Sequence, residues 1–138
     1  MEYTTNQKGL ITEMEVALYF IKLGYNVSQP LNADSRYDFI LDTGNHLLRI
    51  QVKTAHQIEN KPIISFKCRC VTGRRTVKHS LYTSDEIDYF ATFWEGKCYL
   101  VPVNECSTEK ALRLNKDIIH SNWNYAEDYL AEEVLTTL

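Results

Sequence analysis

Between Asn6 and Leu23 apolar residues fall at Leu10, Met14, Ala17, Leu18 and Ile21, the spacing of an amphipathic helix, and Gly24 is its natural stop. At about 100° per residue, Leu10, Met14, Ala17 and Ile21 gather on one side and Phe20 extends that arc past Glu13. Glu13 therefore belongs to the face expected to be buried, while Glu15 lies across the helix beside Lys22. Tyr25 to Ser28 reads as a short strand stopped by Pro30, and Leu31 to Arg36 as a loop. The run Tyr37-Asp38-Phe39-Ile40-Leu41, the turn residues Asp42-Thr43-Gly44-Asn45 and the stretch His46 to Thr54 predict a hairpin. Its second arm alternates cleanly, with Arg49, Gln51 and Lys53 on one face and Leu48, Ile50 and Val52 on the other.

A third strand is expected over Ile63 to Val71, followed by a basic turn, Thr72-Gly73-Arg74-Arg75. Thr83 or Ser84 offers an N-cap for a short helix whose first turns carry Asp85, Glu86 and Asp88. Phe90 to Trp94 and Lys97 to Val103 flank Glu95-Gly96 as two more strands, and helices are expected near Thr108 to Leu114 and Ala126 to Leu135. This order predicts an α/β fold, a mixed central β-sheet flanked by helices and covered on both faces.

A chain of 138 residues has room for one domain, here residues 1–138, and is large enough to need neither metal nor disulfide merely to fold. The cysteines, Cys68, Cys70, Cys98 and Cys106, form no C-x-x-C pair and read as reduced, structural residues. No apolar stretch is long enough to span a membrane and the N-terminus lacks the order of a secretory signal, so a cytoplasmic or nucleoid-associated protein is expected. The net charge of −3 argues against a protein that coats nucleic acid with its whole surface. That average conceals an asymmetry. From Lys61 to Ser84 lie Lys61, Lys67, Arg69, Arg74, Arg75 and Lys78 with no acid at all, whereas Tyr125 to Leu138 carries Glu127, Asp128, Glu132 and Glu133 with no cation.

The polar face of the hairpin holds the candidate chemistry. Pairing across the turn brings Asp38, Gln51 and Lys53 to one end of the sheet, and Glu13 converges on them from the helix. Carboxylate and amide oxygens are the hard ligands that Mg²⁺ takes, and a lysine beside the ion can orient or deprotonate a water, a constellation suited to phosphodiester hydrolysis.

Tyr37-Asp38, twelve intervening residues and Gln51-Val52-Lys53 at the end of an apolar strand resemble the PD-(D/E)xK nuclease motif, with Gln where the second acid usually stands. Lys8-Gly9, Glu13, Gly24-Tyr25, Pro30, the Gln-Val-Lys-Thr run and Asp85 to Phe90 extend the resemblance toward the intron-encoded homing endonucleases of this superfamily, over Lys8 to Pro102. The resemblance implies a restriction-endonuclease-like core and Mg²⁺-dependent, site-specific cleavage of double-stranded DNA, with Mn²⁺ as a substitute ion. It implies Asp38, Gln51 and the backbone carbonyl of Val52 as metal ligands, Glu13 as the helix-borne acid, and Lys53 at the attacking water or scissile phosphate. Gln51 brings no charge, so Glu13 becomes the compensating one.

For the basic segment, the expectation is a DNA-contacting ribbon in which Lys67, Arg69, Arg74, Arg75 and Lys78 reach phosphates or groove edges, against the simpler reading of a charged edge strand. Cutting both strands needs two active sites, so a homodimer or homotetramer is expected. The competing readings are a Holliday-junction resolvase of the same fold, a catalytically inactive DNA-binding module that lost its acid at Gln51, and a small α/β interaction protein.

Overall fold

The computed structural model describes residues 1–72 and 78–138, the side chains of 70–72 and 78–80 excepted. Helix α1 (Thr5–Lys22) opens with a capping box, in which the Thr4 hydroxyl accepts from Gln7 N–H and the Gln7 amide accepts from Thr4 N–H. Gly24 ends it with φ of +91°, a left-handed conformation that glycine adopts without a Cβ clash. Strands β1 (Asn26–Ser28), β2 (Phe39–Asp42), β3 (Leu47–Val52), β8 (Tyr89–Trp94) and β9 (Lys97–Pro102) form the main sheet, in the order β1-β2-β3-β8-β9. All neighbours pair antiparallel except β3 and β8, which run parallel, so the sheet is mixed. Glu95 and Gly96, both at positive φ, make the tight β8–β9 turn.

The segment between β3 and β8, joined by a strand that follows β9, builds a second sheet and a ribbon. Strands β4 (His56–Gln57), β5 (Ile63–Lys67) and β10 (Glu109–Arg113) form a second sheet in the order β10-β5-β4, and β6 (Arg69–Thr72) pairs with β7 (Lys78–Leu81) as a two-stranded ribbon. One face of the main sheet buries Phe39, Leu41, Ile50 and Leu100 against Val16 and Phe20 of α1 and Ala131 and Leu135 of α2 (Ala131–Thr136). Tyr19 of α1 donates its hydroxyl hydrogen to Glu132, joining the two helices. The opposite face packs Phe90, Tyr99 and Val101 against Ile64, Phe66 and Leu112 of the second sheet. Helices thus cover one face and a β-layer the other.

Four expectations are corrected. The buried side of α1 is Thr12, Val16 and Phe20, whereas Leu10, Met14, Leu18 and Ile21, the more apolar stripe, are each at least half exposed. Ala17 is half-buried. Hydropathy selected the wrong side because the side that meets the sheet carries the polar Thr12, bonded to Thr54, and so shows less aliphatic carbon than the stripe left outside. The stretch Thr83 to Asp88 is a single turn rather than a helix: the Thr83 carbonyl accepts from Glu86 and Ile87 N–H, and the next N–H, of Asp88, donates instead to the Arg49 carbonyl of β3. Thr108 to Leu114 contains strand β10, not a helix; the alternation of Lys110 and Leu112 inward with Glu109 and Ala111 outward has period two. The strand expected over Ile63 to Val71 is divided at Cys68, whose N–H donates to the Thr108 carbonyl, and there β5 hands over to the ribbon strand β6.

Candidate functional site

The site lies where β2 begins and β3 ends. β3 alternates as expected, burying Leu48, Ile50 and Val52 and leaving Arg49, Gln51 and, just past its end, Lys53 half-buried on the other face. The pairing of Phe39 with Ile50 continues one step outward, because Asp38 N–H donates to the Ile50 carbonyl at 2.8 Å. Asp38 thereby comes opposite Gln51. Its carboxylate Oδ2 accepts from Val52 N–H at 2.7 Å, so the acid is fixed to the strand that carries the other candidates. The Gln51 amide reaches the Val52 carbonyl at 3.5 Å.

Glu13 is brought to this end by its neighbour. The Thr12 hydroxyl contacts the Thr54 hydroxyl at 3.0 Å and donates to the Lys8 carbonyl at 2.9 Å, pinning α1 to the chain just beyond β3. Glu13 and Asp38 share the wall of a cavity of about 310 Å³, with Gln29, Asn32, Ser35 and Tyr37 among its other lining residues. Burial, then the nearby Asp38 charge, raises the Glu13 pKa above its ordinary value. Burial likewise raises that of Asp38, opposed by the Val52 N–H bond and the Lys53 charge. The fold thus holds two carboxylates where both resist ionising, with a lysine close enough to be felt.

Lys53 extends toward the ribbon. Its Nζ donates to the Arg69 carbonyl at 3.3 Å and lies 5.1 Å from the centre of the Tyr82 ring. Arg69 begins β6 and pairs with Leu81, the last residue of β7, so the ribbon is rooted beside the candidate lysine. Arg36 supports the same root: it forms an ion pair with Glu86 at 2.7 Å and donates to the Leu81 carbonyl at 2.9 Å.

The remaining candidates divide. Lys67 sits on the outer face of the second sheet, paired with Glu109 at 3.1 Å, and Glu109 also accepts from Ser65 at 2.6 Å. Hydrogen bonds from Ser65 and Lys67 hold the Glu109 pKa below its ordinary value. Arg69 is half-buried at the ribbon root; Arg74, Arg75 and the side chain of Lys78 lie outside the described residues. Arg49 shares the face of Gln51 and Lys53 yet turns away from them. Its guanidinium donates to the Asp88 carboxylate and to the carbonyls of Ser84 and Asp85.

Sequence reasoning missed Thr12, Thr54, Arg36 and Tyr82 as parts of this neighbourhood. The only signal for Thr12 was a polar residue one helical turn before Val16 and two before Phe20. Thr54 closes the Gln-Val-Lys-Thr run that the resemblance rests on, but no role was read from it, and nothing in the sequence marked Arg36 or Tyr82 as part of the site. Among the described residues, no three His, Cys, Asp or Glu side chains gather as a metal-binding group. The donor set at the site is instead two carboxylates, an amide and a backbone carbonyl. All offer oxygen, and a cation would relieve the mutual repulsion of the two acids, so the residues fit a hard divalent ion.

The model of the PD-(D/E)XK endonuclease family matches residues 3–132. Among solved structures, a bacterial homing endonuclease, I-Ssp6803I, superposes with a TM-score of 0.79 at 23% identity, over 97% of this chain and 93% of that one. A search of the curated proteins finds no match. No helix among the described residues is long and apolar enough to cross a membrane.

Proposed function

Because the chain belongs to the PD-(D/E)XK endonuclease family, we propose that it is a Mg²⁺-dependent, site-specific endonuclease of double-stranded DNA, acting in the manner of a homing endonuclease. The observation that carries this reading is the Asp38 carboxylate bonded to Val52 N–H at 2.7 Å, in one cavity with Glu13 and opposite Gln51. Asp38, the Gln51 amide oxygen and the Val52 carbonyl would hold the ion, with Glu13 supplying the charge that Gln51 lacks. An Mg²⁺ or Mn²⁺ ion held there would supply a lowered pKa for an attacking water and a positive charge opposite a phosphate oxygen.

The chain's own residues do the rest. Lys53 presents an ammonium that hydrogen-bonds the attacking water or the scissile phosphate, fixing its approach. Asp38 is prevented from rotating by Val52 N–H, so its free oxygen keeps one direction. The cavity wall formed by Gln29, Asn32 and Ser35 offers polar groups beside the reacting phosphate. DNA would be held chiefly by the ribbon, with Arg69, Arg74, Arg75 and Lys78 as its cations, because it emerges at the site itself. Lys67, already engaged by Glu109, contributes a weaker contact.

One such site cuts one strand, so two or four copies of the chain would act together. The stripe Leu10, Met14, Leu18 and Ile21 supports that reading, since a row of half-exposed aliphatic side chains along one helix marks an association surface. Supercoiled plasmid incubated with Mg²⁺ or with EDTA tests the activity: ion-dependent nicking lost in Lys53→Ala is expected. Undiminished cleavage by Lys53→Ala contradicts the assignment, and absence of nicking in the wild type returns the protein to a DNA-binding module. Linear duplex and a four-way junction offered side by side separate a homing-type enzyme from a junction resolvase.

A further inference from the structure

Tyr82 stands between the site and the ribbon. Lys53 Nζ lies 5.1 Å and Arg36 Cζ 4.1 Å from its ring centre, both within the roughly 6 Å over which an aromatic face attracts a cation. The ring is itself fixed, standing edge-on to Phe90 with centroids 5.3 Å apart and planes at 88°. Phe90 belongs to the core beneath the second sheet. Arg36 is held by Glu86 and by the Leu81 carbonyl, and Lys53 by the Arg69 carbonyl. Arg69 and Leu81 are the paired residues at the root of the ribbon. One connected unit therefore joins a core aromatic, a ring carrying two cations, the candidate catalytic lysine and the base of the ribbon.

The Arg69 carbonyl restrains the Lys53 ammonium from one side, and an ammonium on a flexible four-carbon stem is aimed only by restraints from more than one direction. The ring supplies a second restraint from another side. We propose that Tyr82 is a positioning residue for Lys53: its ring face holds the ammonium at the mouth of the site. Tyr82 also follows directly on Leu81, so seating the ribbon on a duplex and aiming Lys53 are one event. This proposal rests on the nuclease reading above. It differs from a packing role in a checkable way. Packing needs the volume of the ring, whereas holding a cation needs the negative charge on its face.

The test measures plasmid nicking at saturating enzyme, giving kcat, together with duplex affinity in EDTA at low salt. Protein carrying pentafluorophenylalanine at position 82, which keeps the ring shape and reverses the charge distribution of its face, is expected to lose about tenfold in kcat with affinity within about twofold of wild type. Tyr82→Leu should behave likewise, and Tyr82→Phe, which keeps the ring face, should recover most of the rate. An unchanged kcat with the fluorinated ring overturns the proposal, as does a loss in Tyr82→Phe equal to that in Tyr82→Leu. A change confined to affinity also overturns it, placing Tyr82 among the DNA contacts. Lys53→Ala runs alongside. If it nicks as fast as wild type, the nuclease assignment falls and the positioning role with it; if it is inactive while every Tyr82 variant is unaffected, the positioning role alone falls.

Discussion

Arg49, Gln51 and Lys53 share one face of β3, but only two of them point to the candidate chemistry, and replacing Arg49 by Met separates the roles. The Arg49 side chain makes four hydrogen bonds: two to the Asp88 carboxylate, at 3.0 and 3.2 Å, and one each to the carbonyls of Ser84 and Asp85. Charge-assisted bonds contribute roughly 1.5–3 kcal/mol when shielded, but the Arg49 and Asp88 side chains are 29% and 33% exposed, so solvent screening reduces each. Met keeps the packing of the stem, and Asp88 retains the Arg49 backbone N–H at 2.8 Å. The net loss is then about 2–3 kcal/mol, or roughly 8–12 °C in Tm for a chain of this size.

The pH dependence carries the same signature. Burial works to raise the Asp88 pKa, but the side-chain and backbone bonds from Arg49 and its charge hold it below the ordinary carboxylate value. Stabilisation from a depressed carboxylate is present above the unfolded pKa of about 3.9 and is lost as pH falls through the folded value. The gap in Tm between wild type and Arg49→Met should therefore be full at pH 7 and narrow as pH falls below about 4, leaving the share that the Ser84 and Asp85 carbonyl bonds contribute. Thermal unfolding followed by circular dichroism, with plasmid nicking at 20 °C below each Tm, reads both properties. A variant that keeps its Tm and loses cleavage would refute the reasoning and move Arg49 into the active site.

The site acids behave in the opposite sense. With both pKa values raised, Glu13 and Asp38 contribute stability that is present below the unfolded carboxylate pKa and lost as pH rises through the folded values, so Glu13→Gln should raise the Tm near pH 8 in EDTA and flatten its decline with pH; a lower Tm there refutes the repulsion. Mg²⁺ at ten times its Kd should stabilise the wild type by about 1.4 kcal/mol, and Asp38→Asn should abolish that increment in a thermal shift series. Gln51→Glu is expected to keep the fold and tighten ion binding by adding a charge, measured by isothermal titration with Ca²⁺. Neutralising Arg74 and Arg75 should flatten the slope of log affinity for duplex against log salt, and an unchanged slope removes them from the interface. Met14→Glu with Leu18→Glu should lower the sedimentation coefficient by at least one association step if α1 joins the copies.

The hairpin was legible because β3 obeys a strict period of two and is bounded by turn residues, which brings Asp38, Gln51 and Lys53 to one end of the sheet; the register that opposes Asp38 to Gln51 comes from the pairing itself. The β8–β9 turn was legible from Glu95-Gly96 between two apolar runs, although those strands bury consecutive residues and show no period of two. Helix α1 was legible as a helix and misread as a surface, since the stripe with most aliphatic carbon, Leu10 to Ile21, is not the one that packs on the sheet. Periodicity reports that a face is apolar and cannot report what covers it. Strand β10 was lost because five residues, Glu109 to Arg113, fit either period. Its pairing with β5 is separated from it by more than forty residues of chain, beyond any local window.

The site departs from local rules in a way that the fold has to support. Two carboxylates line one cavity, both with pKa raised by burial and Glu13 further by the Asp38 charge, while the lysine that offsets Asp38 is drawn toward the ribbon by Arg69 and Tyr82. Left free, such groups would separate or protonate. Here the Val52 N–H bond to Asp38 and the Thr12–Thr54 contact beside Glu13 keep the acids together. The restraints that assemble the site are thus hydrogen bonds at the ends of β2, β3 and along α1, one from a backbone N–H to the Asp38 carboxylate and one between two hydroxyls. A site held in this way is incomplete in electrostatic terms and complete in geometric ones, which is the condition under which a divalent ion and a phosphate bind without first reorganising the protein.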